Sequence, residues 1–594
     1  MKAPFRPVRL GSLDAAFEQR GDGSLLVTPR AALGAYPSSL TGRLEHWARV
    51  APQRTLFARR DGGRTWRHVT YAEGWQAVCA LGQALLERGL DAERPVAVLS
   101  GNDIEHGLLG LACLHVGIPY TPVSTAYSLI SRDFAKLRHI LGQLRPGLVF
   151  AADAVAYSRA FPVLPATAEL VVAHGLSAAR PMTAFADLLA TRPTAAVAAA
   201  ATRVGPETVA KILYTSGSTG QPKGVINTQE MLCSNQAMLL ACYPFLAEAP
   251  PVVLDWLPWN HTFGGNHNVG LVVHNGGSLY IDDGRPTAEL FAETARNLRE
   301  IAPTVYFNVP KGYEELLAVL RADAALARHF FSRLRMLFYA GASLAPHVWE
   351  GLEEVAAATV GERIMMMTGL GATETAPFAI ATRPDCTGPG IVGLPAPGVV
   401  LKLVPNGTKL EARVRGPNIT PGYWRDEART RAAFDDEGFY QLGDALSFVD
   451  PARPELGFRF DGRVSEDFKL ATGTWVSVGP LRADLVRALA PYARDVVVAG
   501  ADRDDVRVLI VPDAAARAPG ARDDIAARLR ALAAAATGSS RRVVRAALLW
   551  PALSIDAGEV TDKGSVNQAA VLAARRDVVE SLYAEGTEIV MEVQ

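Results

Sequence analysis

The chain has 594 residues, 49% hydrophobic and 20% charged, a composition of folded protein too long for one core, so two or more domains follow. Lys plus Arg number 60 against 61 Asp plus Glu, which offers no broad field to nucleic acid or to an anionic membrane, so any anion site must be local. Five cysteines (Cys79, Cys113, Cys233, Cys242, Cys386) lack zinc or redox spacing and read as buried free thiols of a cytoplasmic protein. The N-terminus carries positive charge but no apolar h-region, so no secretion signal is visible. No run reaches the ~18 apolar residues of a membrane span.

In chain order, Arg43–Arg49 and Ala72–Arg88 carry apolar residues at helical spacing. Pro95–Ser100 reads as a strand leaving into a Gly-Asn-Asp turn, and Leu148–Ala151 and Glu169–Val172 read as further strands. Such alternation predicts α/β layers with largely parallel sheets. Residues 180–208 are Ala/Thr-rich and read as a surface connection. The Pro/Gly-dense region Arg383–Gly398 breaks the pattern. After it, Lys402–Val404, Glu411–Arg415 and Gly457–Phe460 alternate like short antiparallel strands. Beyond Asp461-Gly-Arg463 lie about 130 residues, enough for a small α+β domain, with a helix candidate at Asp524–Ala536. The domains expected are residues 1–461, layered sheets with helices plus a small antiparallel β subdomain, and residues 462–594, small, α+β and mobile.

The richest segment is Tyr214-Thr-Ser-Gly-Ser-Thr-Gly-Gln-Pro-Lys-Gly-Val225, behind the apolar run Val209–Tyr214. Gly217 and Gly220 let backbone N–H groups curl around an anion. The hydroxyls of Thr215, Ser216, Ser218 and Thr219 can donate to phosphate oxygens, and Lys223 supplies a movable charge. The Walker order fails because Pro222 precedes Lys223 and Gly224 follows it, and the Rossmann spacing fails too. The loop is therefore a nucleotide phosphate clamp of another kind, expected to bind ATP.

This segment resembles the phosphate loop of the adenylate-forming superfamily: acyl-CoA synthetases, luciferases and peptide-synthetase adenylation domains. Further segments follow in that superfamily's order: Leu257–Phe263, Tyr339–Ser343, Gly369–Glu374, Tyr440–Asp444, and Gly462-Arg463 with Lys469. Within the superfamily, Asp255–Gly270 and Thr304–Glu314 resemble feruloyl-CoA synthases. The resemblance implies a ligase that adenylates a carboxylic acid, ferulate or another hydroxycinnamate, with ATP and Mg²⁺. It then transfers the acyl group to CoA, releasing AMP and pyrophosphate. The small-molecule acid, ATP and CoA are its partners, with neither nucleic acid nor membrane, in a monomer or homodimer.

Residue by residue, the resemblance gives Thr373 and Glu374 the metal and phosphates, with Glu374 the metal ligand, which suits Mg²⁺ because it takes few protein oxygens. Gly369, Leu370 and Gly371 form one adenine wall and Gly341, Ala342 and Ser343 the other. Leu370 stands where the family has an aromatic ring, so the base packs on aliphatic surface. Asp444 accepts from the ribose hydroxyls, and Arg463 reaches the ribose or the phosphates. His261 gates the acyl carboxylate without acting as a base, because the acid is already ionised. Trp259, Phe263, Asn266, His267, Val309 and Pro310 are candidates for an acyl pocket wall suited to a planar phenylpropenoate.

The C-terminal region departs most from the family. Ser465 stands where an acid or lysine is usual, within residues 463–466, which the resemblance makes the hinge. Lys469–Ser477 has the longer form of long-chain acyl-CoA synthetases. Strict register places Glu559 where the catalytic lysine is expected; Lys563, four residues on, is the lysine assigned, since the transition state needs a mobile cation. Other readings stay open: a medium- or long-chain fatty acyl-CoA synthetase, a carrier-loading adenylation enzyme with a separate partner, a non-catalytic nucleotide-binding member, and an oxygen-using luciferase-type activity.

Overall fold

The structure is a computed structural model describing residues 3–176, 180–216, 221–561, 564–584 and 590–592. Among the described residues the strands form sheets of eleven, seven, four, two and four strands. The seven-stranded sheet runs, in spatial order, Pro222–Thr228, Val209–Ser216, Tyr120–Pro122, Val96–Leu99, Leu148–Asp153, Glu169–His174 and Thr183–Ala184. All its neighbours are parallel except the first pair, an antiparallel hairpin. Its central strands are near-continuous apolar runs, as in a parallel sheet covered on both faces. Helix Tyr71–Glu87 begins at a capping box, in which Thr70 N–H donates to the Glu73 carboxylate at 2.8 Å and Glu73 N–H returns to Thr70 Oγ1 at 3.2 Å.

The eleven-stranded sheet is parallel at one end, Val305–Asn308, Met336–Tyr339 and Met365–Leu370. It then turns antiparallel through Ile380–Ala381, Ile391–Pro395 and Phe458–Arg463 toward Tyr440–Phe448 and Lys409–Arg415. The α/β layering and the antiparallel β region are thus one continuous surface.

The stretch 180–208 departs from its reading as a plain connection. It forms helices Phe185–Leu189 and Ala195–Ala201, because alanine has the strongest helix propensity and Val197 and Ala200 find apolar burial against the main core. Gln83 Oε1 fixes their approach, accepting Thr194 N–H at 3.0 Å and Thr194 Oγ1–H at 2.7 Å.

Two apolar clusters, one from Leu470 to Ala546 and one from Val497 to Leu582, are built only from residues beyond 467. They surround the sheet Ala493–Ala499, Val506–Pro512, Val543–Leu548 and Val590–Glu592, with helix Ala521–Ala535 packed on it. No helix among the described residues is long and apolar enough to cross a membrane.

Candidate active site

The strand Val209–Ser216 and its partner Pro222–Thr228 set Thr215 opposite Lys223. Gly217, Ser218, Thr219 and Gly220 lie outside the described residues. The hairpin's second strand is gripped from outside: Trp424 N–H donates to Gly224 O at 2.7 Å, and Ile226 N–H donates to Gly422 O at 3.1 Å. That pairing lays Tyr423 over Lys223, whose Nζ sits 4.7 Å from the ring centroid. Lys223 Nζ donates to Tyr423 Oη at 2.9 Å and reaches Glu374 Oε1 at 2.7 Å, while Tyr423 Oη donates to the same carboxylate oxygen at 3.0 Å. Tyr440 Oη closes the group at 3.2 Å from Tyr423 Oη. Burial pushes the Glu374 carboxyl up, but the Lys223 charge outweighs it and holds the group below its ordinary value. Lys223 is raised, the Glu374 charge overcoming burial. Thr215 Oγ1 is buried beside the loop with no hydrogen-bond partner among the described residues.

Glu374 and Thr373 lie in a single turn, Thr373–Thr375, directly after strand Met365–Leu370. Gly371 is required there, since a Cβ would fall 1.7 Å from Pro377 O. Asn235 Nδ2 donates to Phe378 O at 2.7 Å and Asn418 Nδ2 to Thr375 O at 3.0 Å, while Thr420 N–H donates to Glu374 O at 2.8 Å. The carboxylate is therefore fixed by backbone clamps on both sides. Leu370 is partly buried with Ala372 beside it, Gly369 lies in the strand, and Gly341, Ala342 and Ser343 are exposed. Asp444 and Arg463 face each other across neighbouring strands, Arg463 Nε lying 2.9 Å from Asp444 Oδ1. That approach is an ion pair without hydrogen-bond alignment, so Oδ1 keeps acceptor capacity. Burial pushes Asp444 up to about 6, Arg463 opposing and Glu374 adding repulsion. Asp444 shares the strand Tyr440–Phe448 with Tyr440, whose hydroxyl bonds Tyr423, so that strand brings it to the same group.

The second wall is the turn Phe263–Asn268, which precedes helix Val269–Asn275. His261 lies at its approach, its carbonyl accepting Gly265 N–H at 2.7 Å. Phe263 is partly buried and its ring meets His267 at 5.4 Å and Phe307 at 6.2 Å. His267 is buried among Phe263, Phe307, Phe338 and Phe378, and burial lowers it to about 4. Its Nδ1 bonds Asn268 Oδ1 at 2.8 Å, and Asn268 Nδ2 donates to Asp255 Oδ2 at 2.8 Å. Val309 and Pro310 begin helix Pro310–Ala322, with Val309 Cγ1 facing Gly341. Trp259 and Asn266 sit deeper. Trp259 packs on Phe57 and His106, and Asn266 Nδ2 donates to Asn227 Oδ1 and Thr262 Oγ1.

Lys563 lies outside the described residues. Glu559 is 1% exposed, paired with both Nε and Nη2 of Arg575 and accepting Ser554 N–H at 2.8 Å. The loop before it touches the N-terminal part. Ser131 Oγ donates to Asp556 Oδ1 at 2.7 Å, Arg132 N–H donates to Asp556 Oδ2 at 3.1 Å, and Lys136 Nζ donates to Ile555 O. Ser465 lies in the turn Val464–Glu466, flanked by Lys409, whose Nζ donates to Asp461 O at 2.6 Å and pairs with Asp467 Oδ2 at 2.5 Å. Lys469 lies over Trp475 at 5.0 Å.

Residues 44–424 match the family model described as AMP-binding enzyme, and residues 468–587 that described as AMP-binding enzyme C-terminal domain. The chain belongs to the AMP-binding enzyme family. An anthranilate–CoA ligase of Pseudomonas aeruginosa is 30% identical over 316 residues, 50% of this chain and 54% of that relative, so the match spans about half of that protein's length. A 4-hydroxybenzoate–CoA/benzoate–CoA ligase of Rhodopseudomonas palustris is 27% identical over 467 residues, 75% of this chain and 78% of that one. Among solved structures, the anthranilate CoA ligase AuaEII with anthranoyl-AMP superposes with a TM-score of 0.72 at 20% identity, covering 92% of this chain and 99% of that one. That likeness is one of adenylate-forming fold.

Within this AMP-binding enzyme, sequence reasoning passed over Tyr423 and the clamps Asn235, Asn418 and Thr420. The signal for Tyr423 is slight, an aromatic pair after Pro421-Gly422. The asparagines carry none, since their value lies in carbonyls distant in sequence.

Proposed function

We propose that this chain is an ATP-dependent, AMP-forming acyl-CoA ligase for an aromatic carboxylic acid of the hydroxycinnamate class. The observation carrying the reading is the buried Lys223–Glu374–Tyr423 group at the foot of the phosphate hairpin, with Asp444 and Arg463 within its field. The Lys223 ammonium can turn from the carboxylate to a phosphate oxygen, and a bound Mg²⁺ would then compensate Glu374. Asp444 offers acceptors to ribose hydroxyls. The aromatic turn around Phe263 and His267, with Val309, supports a flat acid, and two relatives are named for anthranilate and benzoates.

Mg²⁺ fits the residues present. Glu374 is a buried carboxylate next in sequence to Thr373, and no cluster of three or more His, Cys, Asp or Glu able to hold a metal exists among the described residues. Phosphate oxygens and water would therefore supply most ligands, as Mg²⁺ prefers. When bound, the ion neutralises phosphate charge.

In the first half-reaction the acid's carboxylate oxygen bonds to the α-phosphorus of ATP and the bond to pyrophosphate breaks. Positioning and charge neutralisation carry such a step. Lys223 and the hairpin hold the leaving pyrophosphate, His261 and Phe263 orient the acid, and Lys563 stabilises developing charge. In the second, the CoA thiol attacks the acyl carbon and AMP leaves. Residues 462–594, hinged at 463–466, turn between the two steps.

The test is pyrophosphate release with ATP, Mg²⁺ and a panel of hydroxycinnamates, benzoates and fatty acids, with and without CoA. Hydroxycinnamates should give the highest kcat/KM. Fatty acids leading the panel would refute the aromatic reading, and no AMP from any acid would refute the ligase.

A further inference from the structure

Lys211 lies on the strand that leads into the phosphate loop, 3% exposed and walled by the main core. Its Nζ donates to Gly265 O at 2.7 Å and sits 5.4 Å from the Tyr120 ring centroid. Among the described residues no carboxylate pairs with it, and burial alone acts on its charge, pushing it down to about 7. Gly265 is the midpoint of the acyl turn. Its N–H donates to His261 O at 2.7 Å, and a Cβ there would fall 2.2 Å from Trp259 O, so the turn is wound tightly on itself. Directly opposite Lys211 in the hairpin is Asn227, whose Oδ1 accepts Asn266 Nδ2 at 2.7 Å. Two facing residues of the phosphate hairpin therefore hold two consecutive residues of the acyl turn.

The magnitudes ask why one of these staples is a cation. A neutral donor would serve the carbonyl for a modest net gain. Burying an ammonium carries a far larger desolvation penalty unless an anion completes it. The helix Ile104–Val116 carries one carboxylate, Glu105, but it is paired with Arg67 and does not reach Lys211. The same helix brings His106, which burial lowers to about 4, and Cys113, whose thiol is pushed up. The strand Tyr120–Pro122 brings Tyr120, also pushed up, the partner strand brings Asn227, and the turn brings His267, lowered to about 4. None of these other groups is negative near neutral pH.

We propose that Lys211, with Asn227 facing it, is a positioning residue that ties the phosphate-loop hairpin to the acyl turn, fixes Gly265 and through it His261, and lends its positive charge to the carboxylate of the bound acid. The proposal rests on the ligase reading.

The experiment compares wild type with Lys211→Met, which removes donor and charge at similar volume, and Lys211→Gln, which removes the charge alone. Thermal unfolding serves as the folding check, and Lys211→Gln carries the comparison should Lys211→Met not fold. Initial rates of AMP formation are measured from about pH 6 to pH 9. The KM for the acid should rise roughly tenfold in Lys211→Met, the loss of a hydrogen bond to a charged group, while that for ATP stays within about twofold. In wild type, kcat/KM for the acid should fall as pH rises above about 7, where Lys211 loses its proton. That limb should vanish in both variants. Equal rises in the two KM values, or a limb that survives in the variants, would overturn the proposal. Wild type forming AMP with both variants matching it defeats this assignment alone; wild type forming none with any acid defeats the ligase reading and this assignment with it.

Discussion

Asp444 gives the sharpest test of the site. The carboxylate is 4% exposed, its partner Arg463 is half-exposed, and burial lifts it from an ordinary 3.8 to about 6. A difference of roughly two units, at about 1.4 kcal/mol each, means the ionised group costs the fold on the order of 3 kcal/mol at neutral pH. The sign follows from proton counting. Between about pH 4 and pH 6 the folded chain holds a proton that the unfolded chain has released, so stability falls as pH rises through that window. Asp444→Asn should remove the cost while freeing an arginine that water already screens, a loss of under about 1 kcal/mol. The variant should unfold roughly 2–3 kcal/mol harder than wild type at pH 7 and no harder below about pH 4. Scanning calorimetry and urea titration across pH measure the gap. The same change should weaken ATP binding by roughly 10- to 100-fold, since hydrogen bonds to a charged acceptor are worth about 1.5–3 kcal/mol. A gap that does not vary with pH, or a variant less stable at pH 7, would refute the reasoning and show that Arg463 compensates the buried charge.

Lys223→Met should destabilise by about 3–5 kcal/mol because it strands the buried Glu374 carboxylate. Lys223→Met with Glu374→Gln should recover most of that in urea titrations yet restore no ATP–pyrophosphate exchange. Glu559→Lys would set two cations together in a buried pair, so it should lower the unfolding temperature of the C-terminal region without raising adenylation; a gain in exchange rate would return the catalytic role to position 559. Lys563→Ala should abolish ATP–pyrophosphate exchange while largely sparing thioester formation from supplied acyl-adenylate, and unchanged exchange would remove Lys563 from the site.

Much of this architecture was legible because the signals are local. The strand Val209–Ser216 shows as an apolar run, and Val96–Leu99 and Leu148–Ala151 are apolar because both faces of their sheet are covered. Gly371 could be noticed in a motif, but its reason, a carbonyl that leaves no room for a Cβ, needed coordinates. Tyr423 and Lys211 were not legible as site residues. One acts through a loop about 200 residues from its partner. The other sits in an apolar strand, where it reads as an interruption until Gly265 is seen against it.

The C-terminal lysine shows the opposite case, where sequence register poses a choice and burial bears on it. Counting from Asp556 puts Glu559 at the lysine's position. Its carboxylate is consumed by Arg575 and the Ser554 amide, and releasing it would cost the several kcal/mol of a broken buried pair. A carboxylate so held supplies no mobile cation, which is why Lys563 is the lysine proposed for that role. The loop's nearer arm is already fastened to the N-terminal part by Asp556 on Ser131 and by Ile555 O on Lys136. These few exposed or half-buried contacts are individually weak, about 1 kcal/mol each, which would suit the movement proposed between the two half-reactions. Lys409 differs: buried, and bonded on both sides of the turn Val464–Glu466, it keeps its grip on Asp461 while any rotation of the C-terminal part must carry Asp467 away. The Lys409–Asp467 pair is thus the buried contact that the proposed rotation would have to break, while the loop contacts would cost little to part.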